Sequence, residues 1–168
     1  DNYIYIELNK RKIAIPPKKE ARKDAKYAGA YVKEPNPGFY DWIVSFDLNS
    51  LYPHLIMQYN LSPETLLPSR HPTATVDKLL EKEIDTSGIE ECLAANGTLY
   101  SKSEQGFLPM MMQKMYDSRV VYKKRMIEAK KAYEKNPTVA LKKEIARCNN
   151  IQMAKKISLN SAYGAIGN

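Results

Sequence analysis

Tyr40-Asp41-Trp42-Ile43-Val44-Ser45-Phe46-Asp47-Leu48-Asn49-Ser50-Leu51-Tyr52-Pro53 is the stretch that decides the reading of this chain. Its first nine residues are aromatic, β-branched and mostly apolar, so they are predicted to form a strand, and the best one in the chain. Pro53 cannot sit in a central strand, so the strand must end before it. Asp47 then stands near the strand's end, ahead of a tight turn. A carboxylate there is, taken alone, usually a turn or cap residue. The residues after it add chemistry. Ser50 and Leu51 can turn successive backbone amides outward, a ready anion site. Tyr52, pinned by Pro53, places a rigid ring at the same spot.

A second stretch complements the first. Lys156-Ile157-Ser158-Leu159-Asn160-Ser161-Ala162-Tyr163-Gly164 sets a cation and an amide one helical turn apart, with a ring three residues further on. It closes a long helical pattern. From Met110 to Glu134, Met112, Met115, Tyr122, Met126, Ala129 and Tyr133 recur at helical spacings, and these methionines read as core packing. Asn136-Pro137 stops this helix. Asn136 is expected to cap the next one, from Pro137 to about Tyr163, with Pro137 at its first position. The product is an antiparallel helical hairpin. Arg119 and Lys123 share one face of the first helix, and Lys156 should lie within about 5 Å, one turn along the axis, of Arg119. Any single lysine or arginine here reads first as a solvated charge. Together they offer the several positive donors that a triphosphate needs.

Composition sets the limits. The chain has 168 residues, 43% of them apolar, enough for a core. Its net charge of +7 is unevenly placed. Met110 to Lys156 holds thirteen Lys/Arg and four Asp/Glu, which leaves the remainder at −2. So concentrated a basic block points to a polyanionic partner, nucleic acid or nucleotide. No apolar run reaches membrane-spanning length, no signal peptide is visible, and Cys92 and Cys148 have no metal-type spacing. Free thiols in a reducing, cytoplasmic compartment are the expectation. Both ends read as cuts through a longer polypeptide.

Elsewhere the signals are weaker. Tyr3 to Ile15 alternates in short runs and predicts one or two strands. Pro16 to Lys26 reads as a loop and Gly29 to Val32 as a short strand. Pro35-Asn36-Pro37-Gly38 is a turn. Leu55 to Asn60 predicts a short helix, Ser62 to Thr65 a break, Pro68 to Thr75 a loop, and Val76 to Glu91 a weak helix. Asn96-Gly97 between apolar runs marks a β-hairpin.

The residues from Ser45 to Pro53 resemble motif A of family B DNA polymerases, and those from Lys156 to Gly164 resemble their motif B. Asn60-Leu61-Ser62-Pro63-Glu64-Thr65 and the run from Gly29 to Pro35 are further similar to the replicative enzymes of T4-like bacteriophages. The resemblance implies an α+β fold: a partial palm, with a short antiparallel sheet and helices, plus a two-helix fingers hairpin. It assigns residues 1–108 to the palm with motif A, 109–155 to the fingers, and 156–168 to motif B returning to the palm. It implies that Asp47 and the Leu48 carbonyl bind magnesium, and that Asp47 and Lys156 serve catalysis. Ser50, Leu51, Arg119, Lys123, Lys156 and Asn160 would hold a dNTP's triphosphate. Tyr52 would exclude a 2′-hydroxyl, and Tyr163 and Gly164 would line the nascent base pair. Implied partners are primer–template DNA and the remainder of a polymerase, a C-terminal palm and thumb and an N-terminal exonuclease.

The chain departs from the pattern in places. His54 stands where a small residue is common, and Asn49 replaces a usual Thr or Ser. The span from Arg119 to Lys156 is shorter than in T4-type enzymes. The Asp-Thr-Asp motif that carries the family's second catalytic carboxylate does not occur, nor does an exonuclease Asp-x-Glu. A palm-and-fingers fragment, inactive alone, is the leading expectation. A non-catalytic basic hairpin that binds nucleic acid, or one subunit of a split polymerase, are the alternatives.

Overall fold

A computed structural model describes residues 2–14 and 32–166. The expected loop from Pro16 to Lys26 and most of the expected strand from Gly29 to Val32 lie outside the described residues. The chain divides into two compact units, Asp1–Val44 and Ser45–Asn168.

In the first unit, α1 spans Asn2–Lys10. This corrects the strands expected over Tyr3 to Ile15. An alternating pattern only proposes a strand; a neighbouring backbone must complete it, whereas a helix satisfies its own backbone groups. A Glu7–Lys10 ion pair at 3.3 Å adds local support. The turn at Pro35–Gly38 carries a bend at Gly38, closed by Tyr40 Oη donating to the Asn36 carbonyl at 2.8 Å. The strand expected over Tyr40 to Leu48 is absent, since residues 42–48 belong to no strand. Trp42 and Phe46 are 93% and 91% exposed, so nothing among the described residues covers the apolar side chains or pairs the backbone.

In the second unit, α2 spans Leu51–Gln58, four residues earlier than the helix expected from Leu55. Pro53 is compatible because it falls in the first turn, where its missing N–H costs nothing. A 3₁₀ turn at Pro63–Thr65 leads into β1, Leu66–Arg70. A loop was expected from Pro68 to Thr75, so the second half of β1 corrects that expectation. The sheet order β1-β3-β2 makes β1 an edge, where proline is tolerated. Of the weak helix from Val76 to Glu91, only α3, Val76–Leu80, forms.

β2 (Cys92–Leu93) and β3 (Thr98–Tyr100) make the hairpin that Asn96-Gly97 signals. Gly97 takes φ 83°, and a Cβ there would sit 3.0 Å from the Ala74 carbonyl oxygen. β1 pairs antiparallel with β3, Leu66 opposite Tyr100 and Arg70 opposite Thr98, across an irregularity. The architecture is α+β.

α4 (Phe107–Lys135) and α5 (Val139–Ile166) form the long antiparallel hairpin, each about 43 Å in length. Asn136 ends α4 rather than capping α5: its N–H donates to the Ala132 carbonyl at 2.9 Å. Pro137 biases the preceding residue to extended backbone. Thr138 takes the capping role, its Oγ1 accepting from the Leu141 N–H at 3.2 Å. The unit's core forms where α2, α4 and α5 meet, around Ile56, Met112 and Leu159.

The N-terminus of α4 is anchored by side chains from the segment after α2. Buried Asn60 donates to the Ser101 and Glu104 carbonyls at 2.7 and 2.8 Å, and its Oδ1 accepts from the Gly106 N–H at 2.8 Å. The Phe107 N–H donates to Glu64 Oε1, and the Leu108 N–H to Ser62 Oγ at 3.3 Å. A carboxylate at a helix N-terminus also complements the helix dipole. Gly106 has an ordinary φ of −64°, yet a Cβ there would lie 2.6 Å from Ser62 Cβ and 3.1 Å from Thr65 Cγ2. Ser62 and Thr65 are themselves buried and cannot withdraw. Gly106→Ala is therefore expected to cost about 1–3 kcal/mol by overpacking. A melting temperature equal to wild type in a thermal unfolding scan contradicts this.

Midway along the hairpin, Arg147 grips Glu144 with two bonds, at 2.8 and 2.7 Å. The Arg125 and Arg147 guanidinium carbons lie 5.8 and 6.0 Å from the centre of the Tyr122 ring on α4. Hydrogen bonds from Arg147, then from the Cys148 thiol, hold the Glu144 carboxyl down to about 2 from its ordinary 4.5. Burial pushes the Cys148 thiol up. Because the folded value lies below the unfolded one, the pair stabilises the fold above the ordinary glutamate range. That contribution is lost as pH falls from about 4.5 towards 2. Glu144→Gln should thus lower the melting temperature near neutrality, with the gap to wild type closing through this window. A gap independent of pH would contradict the assignment.

Candidate functional site

Ser50 is the pivot of the site. It precedes α2 with φ 52° and ψ 50°, a left-handed conformation that costs a non-glycine residue about 1–2 kcal/mol. Its hydroxyl does not cap α2. Instead it accepts from Arg119 Nη1, on α4, at 3.4 Å. The Arg119 Nε is buried and has no hydrogen-bond partner among the described residues. Arg119 thus brings a cation to the N-terminal turn of α2, where an anion is favoured.

Tyr52, in the first turn of α2, stacks on Tyr163 of α5, with ring centres 4.5 Å apart and planes 24° apart. Tyr163 in turn packs against the Ile56–Met112–Leu159 core. The turn after Asp47 thus meets one residue from each long helix. Lys123, Lys156, Asn160 and Gly164 are exposed. The packing of Leu159 with Met112 sets the hairpin register, and Lys156 falls level with about residue 115, one turn from Arg119.

Asp47 and Leu48 are exposed, and Asp47 has no hydrogen-bond or ion-pair partner among the described residues. No group of three or more His, Cys, Asp or Glu side chains able to hold a metal occurs among them. One open carboxylate fits part of a magnesium site, since that ion keeps several waters and commonly takes one or two carboxylates plus phosphate oxygens. Cys92 and Cys148 are buried free thiols. Among the described residues no helix is long and apolar enough to cross a membrane.

Sequence reasoning gave no role to His54, Tyr116 or the Asn60–Glu64–Gly106 anchor. The anchor had one legible signal, a buried-type polar run Asn60-Leu61-Ser62-Pro63-Glu64 directly after a helix. Nothing in the sequence linked His54 to Tyr116.

The family model of DNA polymerase family B matches residues 2–168, and the chain belongs to that family. It is 28% identical to the DNA-directed DNA polymerase of Escherichia phage RB69 and 26% identical to that of Enterobacteria phage T4. Each match covers the whole of this chain and 23% of the phage enzyme. Both alignments extend over 209 residues, more than this chain contains, so the phage enzymes carry extra residues within the span. DNA polymerase 1 of Pyrococcus abyssi is 34% identical over 148 residues, covering 88% of this chain and 16% of that protein. The chain therefore spans less than a quarter of the length of these relatives.

Proposed function

We propose that this chain supplies the palm turn and the fingers hairpin of a template-directed DNA polymerase, which extends a primer 3′-OH with deoxynucleotides. The observation that carries this reading is Arg119, brought by α4 onto the Ser50 turn with a buried, unpaired Nε. In this reading the Ser50–Leu51 amides and Arg119 hold the triphosphate tail. Lys123, Lys156 and Asn160 close on it as the hairpin moves, each adding a donor to the charge that develops on the phosphates. Residues 1–108, 109–155 and 156–168 act as partial palm, fingers and motif B. Tyr163 and Gly164 border the new base pair.

Asp47 and the Leu48 carbonyl would hold magnesium, which when bound supplies positive charge to the attacking and leaving oxygens. One carboxylate does not make a two-metal site, so the 168-residue chain by itself is expected not to extend a primer. A second segment carrying the missing Asp-Thr-Asp turn would complete it. The further partners in this reading are primer–template DNA and the rest of the polymerase, and the compartment is the cytoplasm.

Titrating the chain with a dNTP in the presence and absence of magnesium tests the reading. Binding should be tighter with magnesium and should weaken at least about tenfold in Arg119→Ala, since each tenfold is about 1.4 kcal/mol. Nucleotide binding that ignores both magnesium and Arg119 would favour a basic hairpin that contacts nucleic-acid phosphates alone.

A further inference from the structure

His54 is the residue at which this chain departs from the common motif A pattern, and its surroundings give it work. It occupies the fourth position of α2. Its Nδ1 lies 3.0 Å from the Ser50 carbonyl oxygen, which also accepts the His54 backbone N–H at 3.1 Å. A carbonyl only accepts, so Nδ1 carries the proton in this contact. The ring then meets Tyr116 edge-on, with centres 4.7 Å apart and planes at 81°. Tyr116 lies on α4 one turn before Arg119 and packs against the Ile56–Met112–Leu159 core.

Ser50 is consequently held from two directions. His54 holds its carbonyl, and Arg119 holds its hydroxyl. A left-handed serine persists only where its surroundings over-determine it. We propose that His54 is a positioning residue for nucleotide binding, which locks the Ser50–Leu51 turn at a fixed spacing from Arg119. The proposal rests on the reading that this turn and Arg119 hold a triphosphate. His54 touches no phosphate. It acts by keeping the first-turn amides and the guanidinium aimed at the same volume before nucleotide arrives, which reduces the ordering that binding must otherwise impose. Without it the turn relaxes out of the left-handed region and Arg119 loses its counterpart.

Three substitutions separate the hydrogen bond from the packing. In His54→Asn the amide Nδ2 replaces the ring Nδ1 and can still donate to the Ser50 carbonyl. In His54→Phe the ring still packs on Tyr116, and the donor is gone. His54→Ala removes both. The measurement is magnesium–dCTP affinity of the 168-residue chain, alongside its melting temperature. His54→Phe should bind about five- to tenfold more weakly with a wild-type melting temperature, and His54→Asn should stay within about twofold of wild type. The double variant His54→Ala/Arg119→Ala should lose less affinity than the product of the two single losses, because His54 acts in part through Arg119.

Wild-type affinity in His54→Phe, with Arg119→Ala clearly weakened, overturns the role of His54 and leaves the functional reading intact. Losses that multiply in the double variant do the same. If Arg119→Ala itself binds as wild type does, the functional reading falls and this inference falls with it.

Discussion

Arg119→Ala and Lys156→Ala should each lower nucleotide incorporation by about 10²–10³-fold once this segment replaces its counterpart in a complete family B polymerase. In the proposed reading, each substitution removes a charge-assisted contact to phosphate that strengthens as charge develops in the transition state. Arg119 is half-buried, its Nε is buried without a partner, and its Nη1 already reaches the Ser50 hydroxyl. Lys156 is exposed one turn before Asn160, so in the proposed reading its contribution depends on closure of the hairpin.

Lys142 is the control, because it belongs to the same basic block. It lies in the first turn of α5, fourteen residues before Lys156, or about 21 Å along the helix. That is more than twice the Debye length of about 8 Å at physiological salt, so its field at the phosphates is screened away. Lys142→Ala should change incorporation by less than about threefold. Single-turnover rates for the three variants decide the matter. Comparable losses at all three positions would mean that a diffuse basic surface, not a built site, does the binding.

These residues also show what a sequence can disclose. The α4–α5 hairpin was legible because each helix carries its own 3.6-residue period and Asn136-Pro137 interrupts it. The Asn96-Gly97 turn was legible because φ above zero selects the residue type locally. What failed was whatever depends on a distant partner. Residues 42–48 have the composition of a strand, and no neighbouring strand among the described residues completes it. The run from Tyr3 has strand-like alternation and became helix for the same reason. Pro68 is tolerated in β1 because that strand is an edge, and an edge position depends on which strands flank it.

At the site, the residue types announced themselves through motif spacing, and the contacts between them did not. Arg119 on the Ser50 hydroxyl, Tyr52 on Tyr163 and His54 on Tyr116 join segments with no periodic relation.

Tyr52→Ala should relax sugar selection while deoxynucleotide use largely survives. The ring of Tyr52 is held on one side by its stack with Tyr163, and its backbone is followed by buried Pro53, whose φ is fixed. Such a ring cannot turn aside for an extra atom. It is half exposed, so part of its surface remains free for a sugar. Deoxy- and ribonucleotides differ only by the 2′-hydroxyl. Forcing that group against a fixed ring is an overpacking cost of about 1–3 kcal/mol, equivalent to roughly five- to 150-fold in discrimination. In the same grafted polymerase, the ratio of kcat/KM for dCTP to that for rCTP should fall by about that factor in Tyr52→Ala. Tyr52→Phe should leave the ratio unchanged, because the ring and not the hydroxyl forms the wall. Tyr163→Ala should fall between the two: the Tyr52 ring remains but loses the support that holds its plane. An unaltered ratio in Tyr52→Ala would show that the ring does not face the sugar, and that the stack serves only to join α2 to α5.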